Sequence, residues 1–271
     1  MKHQQIWAEA HGLKSDSRGY LSDVTSNLLK PMTAETKLAF ERGSGSELQD
    51  TQKRPAKMKA LHSSSALAVN FFDSWVCQNK SALQKVLQID NEISSISFEE
   101  QFPTGLSGNP PNLDVALELS GGFIVGVESK FSEWLTPKPR SKKPFKLKYF
   151  PVGLGMWSDR GLPASQDLAN LMNSGVTQFR YLDAPQLLKH ALGLATQLDD
   201  QFSLYYTFLD WPGKESEVHD KEVDRFAEAV GAELRFKAIT YQQILLSLQN
   251  EPEVNPVYLN YLYGRYCNNA A

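Results

Sequence analysis

Residues 111–131 contain two alternating apolar and polar runs around a Gly-Gly pair, and this stretch constrains the fold more than any other. Leu or Val occupies every second position from Leu113 to Leu119, and Phe or Val does so from Phe123 to Val127. Period-two alternation on both sides of paired glycines is typical of two β-strands joined by a tight loop. The stretch therefore predicts an antiparallel β-hairpin with one apolar face.

The same alternation determines how the two strands pair. A two-residue loop at the Gly-Gly pair would set apolar positions opposite polar ones, which a sheet with a buried face does not tolerate. A three-residue loop at 120–122 instead pairs Leu119 with Phe123, and such loops commonly have Gly in the left-handed conformation. This register places Asp114 directly opposite Glu128.

The polar face of the hairpin brings two carboxylates and a lysine together. Lys130 lies two residues beyond Glu128 on that face, and the small residues Ala116 and Gly126 leave space beside them. Two adjacent carboxylates repel unless a divalent cation neutralises them, and hard oxygen ligands favour Mg²⁺ or Mn²⁺. A lysine there can orient an attacking water or stabilise charge on phosphoryl oxygens. The pattern fits metal-assisted phosphodiester hydrolysis; the alternative is an ordinary hairpin with surface charges.

These residues resemble the PD-(D/E)XK nuclease superfamily, whose fold is found in many restriction endonucleases. Asp114 matches the aspartate of the motif, Glu128 the (D/E) position and Lys130 the lysine. The match departs from the strict Pro-Asp dipeptide, because two residues separate Pro111 from Asp114. The resemblance implies that Asp114, Glu128 and the Ser129 carbonyl hold Mg²⁺ or Mn²⁺, and that Lys130 positions or activates water.

The resemblance also points to auxiliary polar residues on neighbouring elements. Glu99 lies on a strand predicted over 93–102 and is a candidate metal ligand. Gln186 and His190 are four residues apart on a helix predicted over 184–198, so they would point together toward the substrate. A sheet-edge carboxylate and an exposed or structurally bonded histidine are the alternatives.

A cationic segment without acidic residues follows the hairpin, at 137–148, and proline and aromatic residues are interleaved with its cations. Such a segment suits contacts with phosphates and stacking on bases, and a solvated loop face is the alternative. The candidate nucleic-acid-binding residues are Lys138, Arg140, Lys142, Lys143, Lys146 and Lys148.

The flanking segments predict an α/β protein. The nearly continuous apolar run at 202–209 indicates a buried central strand, and the helix before it completes a strand-helix-strand unit that favours parallel pairing. The remaining predicted elements are helices at 65–78, 81–87, 163–173, 215–230, 241–248 and 256–266, and strands at 93–102 and 234–239. This order is that of a restriction-endonuclease-like core, a mixed β-sheet flanked by helices.

The chain divides into two predicted parts. Residues 1–60 are expected to form a helical N-terminal extension, with helices at 20–29 and 33–40, and residues 61–271 the nuclease-like domain. The extension would serve substrate recognition or oligomerisation, and a homodimer is compatible with it.

Composition places the chain among ordinary globular proteins, with 41% hydrophobic and 22% charged residues in a length of 271. A net charge of −3 argues against wholesale coating of nucleic acid, although a locally basic surface is compatible with it. The two cysteines, Cys77 and Cys267, indicate neither a disulfide framework nor a zinc site. The N-terminus lacks the core of a signal peptide, and no apolar run is long enough to span a membrane. We therefore expect a cytoplasmic protein without a membrane partner.

Three functions remain open at the level of sequence. The first is a Mg²⁺-dependent nuclease that hydrolyses phosphodiester bonds of DNA, with RNA as an alternative substrate. Analogy of fold suggests an endonuclease in a restriction-like or defence role. The second is a catalytically inactive nucleic-acid-binding or scaffolding protein that retains the nuclease fold. In the third, the acids are structural and the pocket binds an unrelated small molecule.

Overall fold

A computed structural model describes residues 2–43, 47–139 and 143–267 of the chain. In this part of the protein, five strands form one mixed sheet with helices on both faces. The strands are β1 (Ile93–Gln101), β2 (Asn112–Leu119), β3 (Ile124–Lys130), β4 (Phe202–Phe208) and β5 (Lys237–Thr240). The helices are α1 (Lys2–Ala10), α2 (Ala34–Arg42), α3 (Ser64–Val76), α4 (Ser81–Leu87), α5 (Pro163–Asn173), α6 (Ala184–Leu198), α7 (Lys214–Leu234), α8 (Tyr241–Leu248) and α9 (Pro256–Leu262).

The strands lie side by side in chain order, but the pairing changes direction at β3. β1, β2 and β3 are antiparallel neighbours, whereas β3, β4 and β5 are parallel ones. Parallel neighbours need a long crossover connection, and α5 and α6 lie in the connection from β3 to β4. The predicted parallel unit is confirmed, and every residue of β4 is buried, as expected for a central strand.

The hairpin of β2 and β3 has the predicted register. Val115 pairs with Val127, and the Leu119 N–H donates to the Phe123 carbonyl at 2.8 Å. The loop is therefore the three-residue loop at 120–122, and its two glycines both have left-handed φ angles, +99° and +84°. Only glycine adopts two such successive angles without strain, so the Gly-Gly pair makes the turn possible.

The sheet is buried on both faces. Apolar residues of α3, α4, α8 and α9 pack on one face of the hairpin, against side chains such as Val115 and Val127. Residues of α5, α6 and α7 pack on the other face, against Ala116 and Leu204. The predicted polar face of the hairpin therefore lies under α6 rather than in open solvent.

Several predicted helices are confirmed with their bounds: 81–87, 163–173, 184–198 and 241–248. Their ends carry recognisable caps. In α3, the Ser63 side chain accepts a hydrogen bond from the Ala66 N–H, and in α6 the Asp183 side chain does so from Gln186. Side-chain oxygens at these positions satisfy backbone donors that a helix leaves unpaired.

The helix predicted over 20–29 is wrong. The segment is irregular and contains only the short 3₁₀ turn Thr25–Asn27. The Asp23 carboxylate accepts hydrogen bonds from the Ser26 N–H at 2.8 Å and the Thr25 hydroxyl at 2.6 Å. Bonds of this kind compete with helix formation, which the spacing of apolar residues does not reveal.

The strand predicted from residue 234 begins later, at Lys237. Leu234 is instead the last residue of α7 and is fully buried. Arg235 follows with a left-handed φ of +43°, and its N–H donates to the Gly231 carbonyl. A left-handed residue is a common way to end a helix, and here it delays the strand by one turn.

The N-terminal residues pack on the body of the protein. Leu28, Phe40 and Met58 belong to the same apolar cluster as α3 and one face of the sheet. The division at residue 60 remains a prediction, although its two sides share this core.

Arg265 connects this N-terminal segment to the end of the described chain. Its fully buried guanidinium donates to both side-chain and main-chain oxygens of Asn27 and lies over the Trp7 ring, 4.6 Å from the ring centroid. The Asn27 amide in turn donates to the carbonyls of Met58 at 2.6 Å and Ala60 at 2.8 Å. Because a buried charge needs hydrogen-bond partners, this network holds the 57–60 turn in place.

A matched pair of helical glycines tests the packing of α6. A Cβ atom on Gly193 would lie 2.3 Å from the Phe102 carbonyl oxygen, whereas one on Gly231 would meet nothing closer than 3.9 Å. We expect Gly193→Ala to lower the free energy of unfolding by about 1–3 kcal/mol or more, because backbone must move. Gly231→Ala should raise it by about 0.5–1 kcal/mol, since alanine is the better helix former. Urea unfolding of both variants checks this, and equal effects would contradict the close approach.

Candidate functional site

Glu128 and Lys130 form a buried ion pair at the end of β3. The side chain of Glu128 is 1% exposed and that of Lys130 is 15% exposed, and the Lys130 ammonium donates to the Glu128 Oε1 atom. Burial alone would favour neutral Glu128, but the charges of Lys130 and His190 outweigh it and lower its pKa to about 2. Glu128 is therefore a carboxylate at neutral pH.

Lys130 is held in its charged form. Burial lowers the pKa of Lys130, but the facing carboxylates of Glu128 and Asp114 outweigh this effect and raise it above the ordinary value. A charged lysine fits the positioning role that the resemblance implied for Lys130. Activation of water, the other implied role, stays a prediction.

Asp114 lies across the hairpin from this pair. The ladder of β2 and β3 ends at Val115 and Val127, and the Ser129 N–H donates to the Asp114 Oδ2 atom at 2.7 Å instead of to the backbone. Burial and the negative charge of Glu128 raise the pKa of Asp114 well above its usual range. The structure thus brings Asp114, Glu128 and Lys130 together as the register predicted.

Glu99 approaches the same site from β1. The β1–β2 register places Glu99 between the pairs Phe98–Val115 and Glu100–Leu113, level with Asp114. Its φ of +52° is unusual for a residue with a Cβ atom and costs energy. Burial raises the pKa of its carboxyl group, which accepts a 2.6 Å hydrogen bond from the Asn112 side chain.

His190 and Gln186 of α6 both reach the site. His190 is buried, and its Nε2 atom lies 3.0 Å from the Glu128 Oε2 atom, although the two do not form a hydrogen bond of regular geometry. Gln186, one turn earlier, lines the cleft beside Asp114. The predicted pair therefore shares a face of α6, and His190 is not exposed.

Glu99 and Asp114 line a cleft of about 700 Å³, and the buried pair of Glu128 and Lys130 does not line it. The sheet and α6 side of this cleft contains Glu99, Asn112, Asp114, Glu133 and Gln186. The opposite wall comes from the N-terminal segment and consists of Tyr20, Glu47, Arg54, Lys57, Ala60, His62, Ser63, Ser64 and Ser65. This wall could not be predicted from the sequence, because periodicity does not show which distant segment faces a strand.

Glu47 organises the N-terminal wall from within. Its buried carboxylate accepts hydrogen bonds from the Lys57 ammonium at 2.5 Å and from the Ser65 hydroxyl at 3.1 Å. Its carbonyl accepts from the Met58 N–H at 3.0 Å. The wall is therefore a fixed part of the site.

The predicted nucleic-acid-binding residues take different positions. The Lys138 ammonium pairs with Asp183 at 2.6 Å, and that of Lys148 donates to the Ser107 carbonyl. Lys143 and Lys146 are exposed. Arg140 and Lys142 lie outside the described residues.

Two aromatic residues of the same region are not available for the predicted stacking on bases. Phe145 and Tyr149 are buried against Trp157, with ring centroids 5.5 Å and 5.9 Å apart. They belong to the apolar cluster under α6, so they cannot stack on bases. Burial of these rings is favoured because large aromatic side chains contribute most to core packing.

The residues that the resemblance assigned to a metal fit a divalent cation by their chemistry. The Glu128 Oε2 atom is buried without a hydrogen-bond partner, and Asp114 is a second carboxylate held against it in charge repulsion. A hard cation between them would relieve both conditions. Among residues 2–43, 47–139 and 143–267, no group of three or more His, Cys, Asp or Glu side chains is arranged for a metal. The ligands that the resemblance implies are the Asp114 and Glu128 carboxylates and the Ser129 carbonyl. They include only two side chains, so they do not count as a group of three.

The mixed sheet with helices on both faces is the α/β fold of restriction-endonuclease-like proteins. The chain belongs to the family described as "Restriction Endonuclease associating with ARP", whose model matches residues 1–267. Comparisons with curated proteins and with solved structures found no match to the chain. Within the described ranges, no helix is both long and apolar enough to cross a membrane.

The raised pKa of Asp114 makes a prediction about stability. An acid whose pKa is higher in the folded than in the unfolded state destabilises the fold when ionised, and this cost disappears as pH falls below the unfolded value of 3.8. We expect Asp114→Asn to be more stable than wild type at pH 7 in EDTA, and the difference to shrink toward pH 4. Urea unfolding across this pH range measures it. Glu118→Gln, four residues along the same strand at an exposed site, is the control and should show no such trend.

Proposed function

We propose that this protein is a PD-(D/E)XK nuclease, a Mg²⁺- or Mn²⁺-dependent endonuclease that hydrolyses phosphodiester bonds of DNA in a restriction-like or defence role. The observation that carries the proposal is the grouping of Asp114, Glu128 and Lys130 around the end of β3, where Asp114 lines a cleft. Membership of a restriction-endonuclease-associated family supports the same class of activity.

Asp114 and Glu128, with the main-chain carbonyl of Ser129, are the residues that would hold the cation. The bound ion would polarise the phosphoryl group and lower the pKa of a coordinated water, which makes a nucleophile available at neutral pH. Glu128 suits this role because it is ionised and its Oε2 atom makes no hydrogen bond of regular geometry, although the His190 Nε2 atom lies 3.0 Å away.

Lys130 contributes a fixed positive charge. Its raised pKa keeps the ammonium protonated, so it can donate hydrogen bonds to the attacking water or to a phosphoryl oxygen. Charge that develops on the phosphoryl oxygens during attack is stabilised more strongly in a site with little solvent than in bulk water. The partly buried position of Lys130 provides such a site.

His190 and Gln186 have positioning roles in this proposal. His190 packs against the second oxygen of Glu128 and limits how that carboxylate can turn. Gln186 lines the cleft beside Asp114, where its amide can hydrogen-bond to substrate. Exposed Lys143 and Lys146 are available for contacts with DNA phosphates, which account for most non-specific affinity.

Cation binding can be measured without any catalytic readout. A ligand that binds the folded state stabilises it, by about 1.4 kcal/mol at a tenfold excess over Kd. We expect Mg²⁺ or Mn²⁺ to raise the thermal unfolding midpoint of wild type relative to EDTA. The increase should be lost in Asp114→Asn and in Glu128→Gln but kept in Glu118→Gln. A shift of equal size in all variants would place the cation elsewhere.

Cleavage tests the activity itself. Purified protein is incubated with supercoiled plasmid and with single-stranded DNA in Mg²⁺, Mn²⁺ or EDTA. We expect plasmid nicking or linearisation that depends on the metal, with a loss of at least about 100-fold in Lys130→Ala, comparable to the removal of one electrostatic donor in other enzymes. Asp114→Asn should be equally inactive, because one of the two carboxylates that hold the cation is gone.

Two variants serve as controls for this assay. Glu118→Gln and Lys85→Ala change a carboxylate and a lysine of the same types away from the site, so both should cleave like wild type. DNA binding without cleavage in either metal would contradict the proposal and favour a non-catalytic protein that retains the fold. Cleavage that survives Lys130→Ala would show that the reaction uses other residues.

A further inference from the structure

A second cavity, of about 450 Å³, lies beside the N-terminal end of α6. Among the described residues that line it, Lys138, Lys143, Arg180 and Lys189 are cationic and Asp183 alone is acidic. We refer to these five residues and the space between them as the cationic pocket. The roles described for Lys138 and Lys143 do not include Arg180 and Lys189, which surround the same space.

The single carboxylate of the pocket is already in use. The Asp183 Oδ2 atom accepts from the Lys138 ammonium at 2.6 Å, and its Oδ1 atom accepts from the Gln186 N–H at 3.2 Å, at the start of α6. It therefore neutralises one lysine and caps a helix. The charges of Lys143, Arg180 and Lys189 are left without a carboxylate among the lining residues.

Two of these cations have unfavourable surroundings. The Arg180 Nε atom is buried and has no hydrogen-bond partner in the described structure. The Lys189 ammonium lies over the rings of Phe145 and Tyr149, at 5.4 Å and 5.8 Å from their centroids. Burial lowers the pKa of Lys189, the Asp183 carboxylate partly offsets this, and the charges of Lys146, Lys148 and Lys138 lower it further. An anion in the pocket would offset the repulsion among these cations.

The walls of the pocket are rigidly built. The buried Glu222 carboxylate of α7 accepts from the backbone N–H groups of Arg180 at 2.6 Å, Tyr181 at 2.8 Å and Leu182 at 2.9 Å. The Lys138 N–H donates to the Arg180 carbonyl at 2.6 Å. These bonds fix the backbone of Arg180 against the segment that carries Lys138, so the cations are held together before any ligand arrives.

We propose that the cationic pocket binds a phosphate group of the nucleic acid whose scissile phosphate lies at Asp114 and Glu128. Guanidinium and ammonium groups around a small space are suited to phosphate oxygens. Pro185 and Lys189 of α6 face the pocket, while Gln186 and His190 face the acid site. A helix with its side chains is about 10 Å across, so one strand can reach both sites. The identity of the ligand rests on the proposed function; the phosphate chemistry does not.

Salt dependence of binding provides the test. A fluorescently labelled 20-base-pair duplex is titrated with protein in EDTA over a range of salt concentrations, so that cleavage does not interfere. Each phosphate neutralised contributes about 0.9 to the slope of log K against log salt. We expect Arg180→Ala/Lys189→Ala to bind more weakly and to lose about that amount of slope. Lys143→Ala, at an exposed position that folding does not need, should weaken binding in the same direction.

The controls separate charge from folding. Lys85→Ala, on the helix α4 at the opposite face of the sheet, should keep the wild-type slope. Lys189→Arg retains the positive charge and should also retain the wild-type slope. A slope that is unchanged in both Lys143→Ala and Arg180→Ala/Lys189→Ala, or no binding of duplex by wild type, overturns the inference.

The source of the phosphate is resolved by the form of the DNA. In one outcome, the pocket variants lose affinity and slope only on linear duplex with 5′-phosphate ends, and not on 5′-hydroxyl ends or closed circles. That result assigns the pocket to a terminal phosphate. Equal loss on all three assigns it to the internal backbone, and either result supports the inference. If wild type never cleaves but the slope still falls, the pocket stands and the proposed activity fails. If wild type cleaves DNA and the salt slope is unchanged in the pocket variants, the proposed activity stands and the inference about the pocket fails.

Discussion

The buried ion pair of Glu128 and Lys130 is the interaction around which the site is arranged. A carboxylate that is almost fully covered by protein is tolerated only if its charge is compensated nearby, and Lys130 and His190 provide that compensation from β3 and α6. The pair lies on the strand where the sheet changes from antiparallel to parallel pairing, so β2 can bring Asp114 from one side while α6 covers the other. The same contacts keep Glu128 ionised and in a fixed position, where a divalent cation would compete with Lys130 for its oxygens.

The central part of this arrangement could be predicted from sequence because it is local. The alternation of apolar residues determined the register of the hairpin, and the register alone placed Asp114 opposite Glu128. The bounds of α6 were equally clear, since its apolar face is continuous and Asp183 provides a cap. In both cases neighbours in the chain carry the whole signal, and nothing distant has to be known.

What could not be predicted depends on contacts between distant segments. Glu47, Lys57 and Ser65 of the N-terminal wall line the same cleft as Asp114, and no periodic pattern connects them to β2. The left-handed backbone of Glu99 is set by the surrounding sheet and not by its own side chain. Phe145 and Tyr149 were expected on the surface because they lie among lysines and prolines. Instead, their rings pack against the distant Trp157 and are buried.

The hydrogen-bond chain from Arg265 through Asn27 to Met58 and Ala60 has a consequence for the order in which the protein is completed. The acid residues lie in the middle of the chain, whereas the side chain that anchors the opposite wall of the cleft is made more than a hundred residues later. A nascent chain can thus form its sheet and its acid pair while the cleft still lacks a fixed boundary. The wall that faces Asp114 across the cleft is then the last part of the site to be fixed in place.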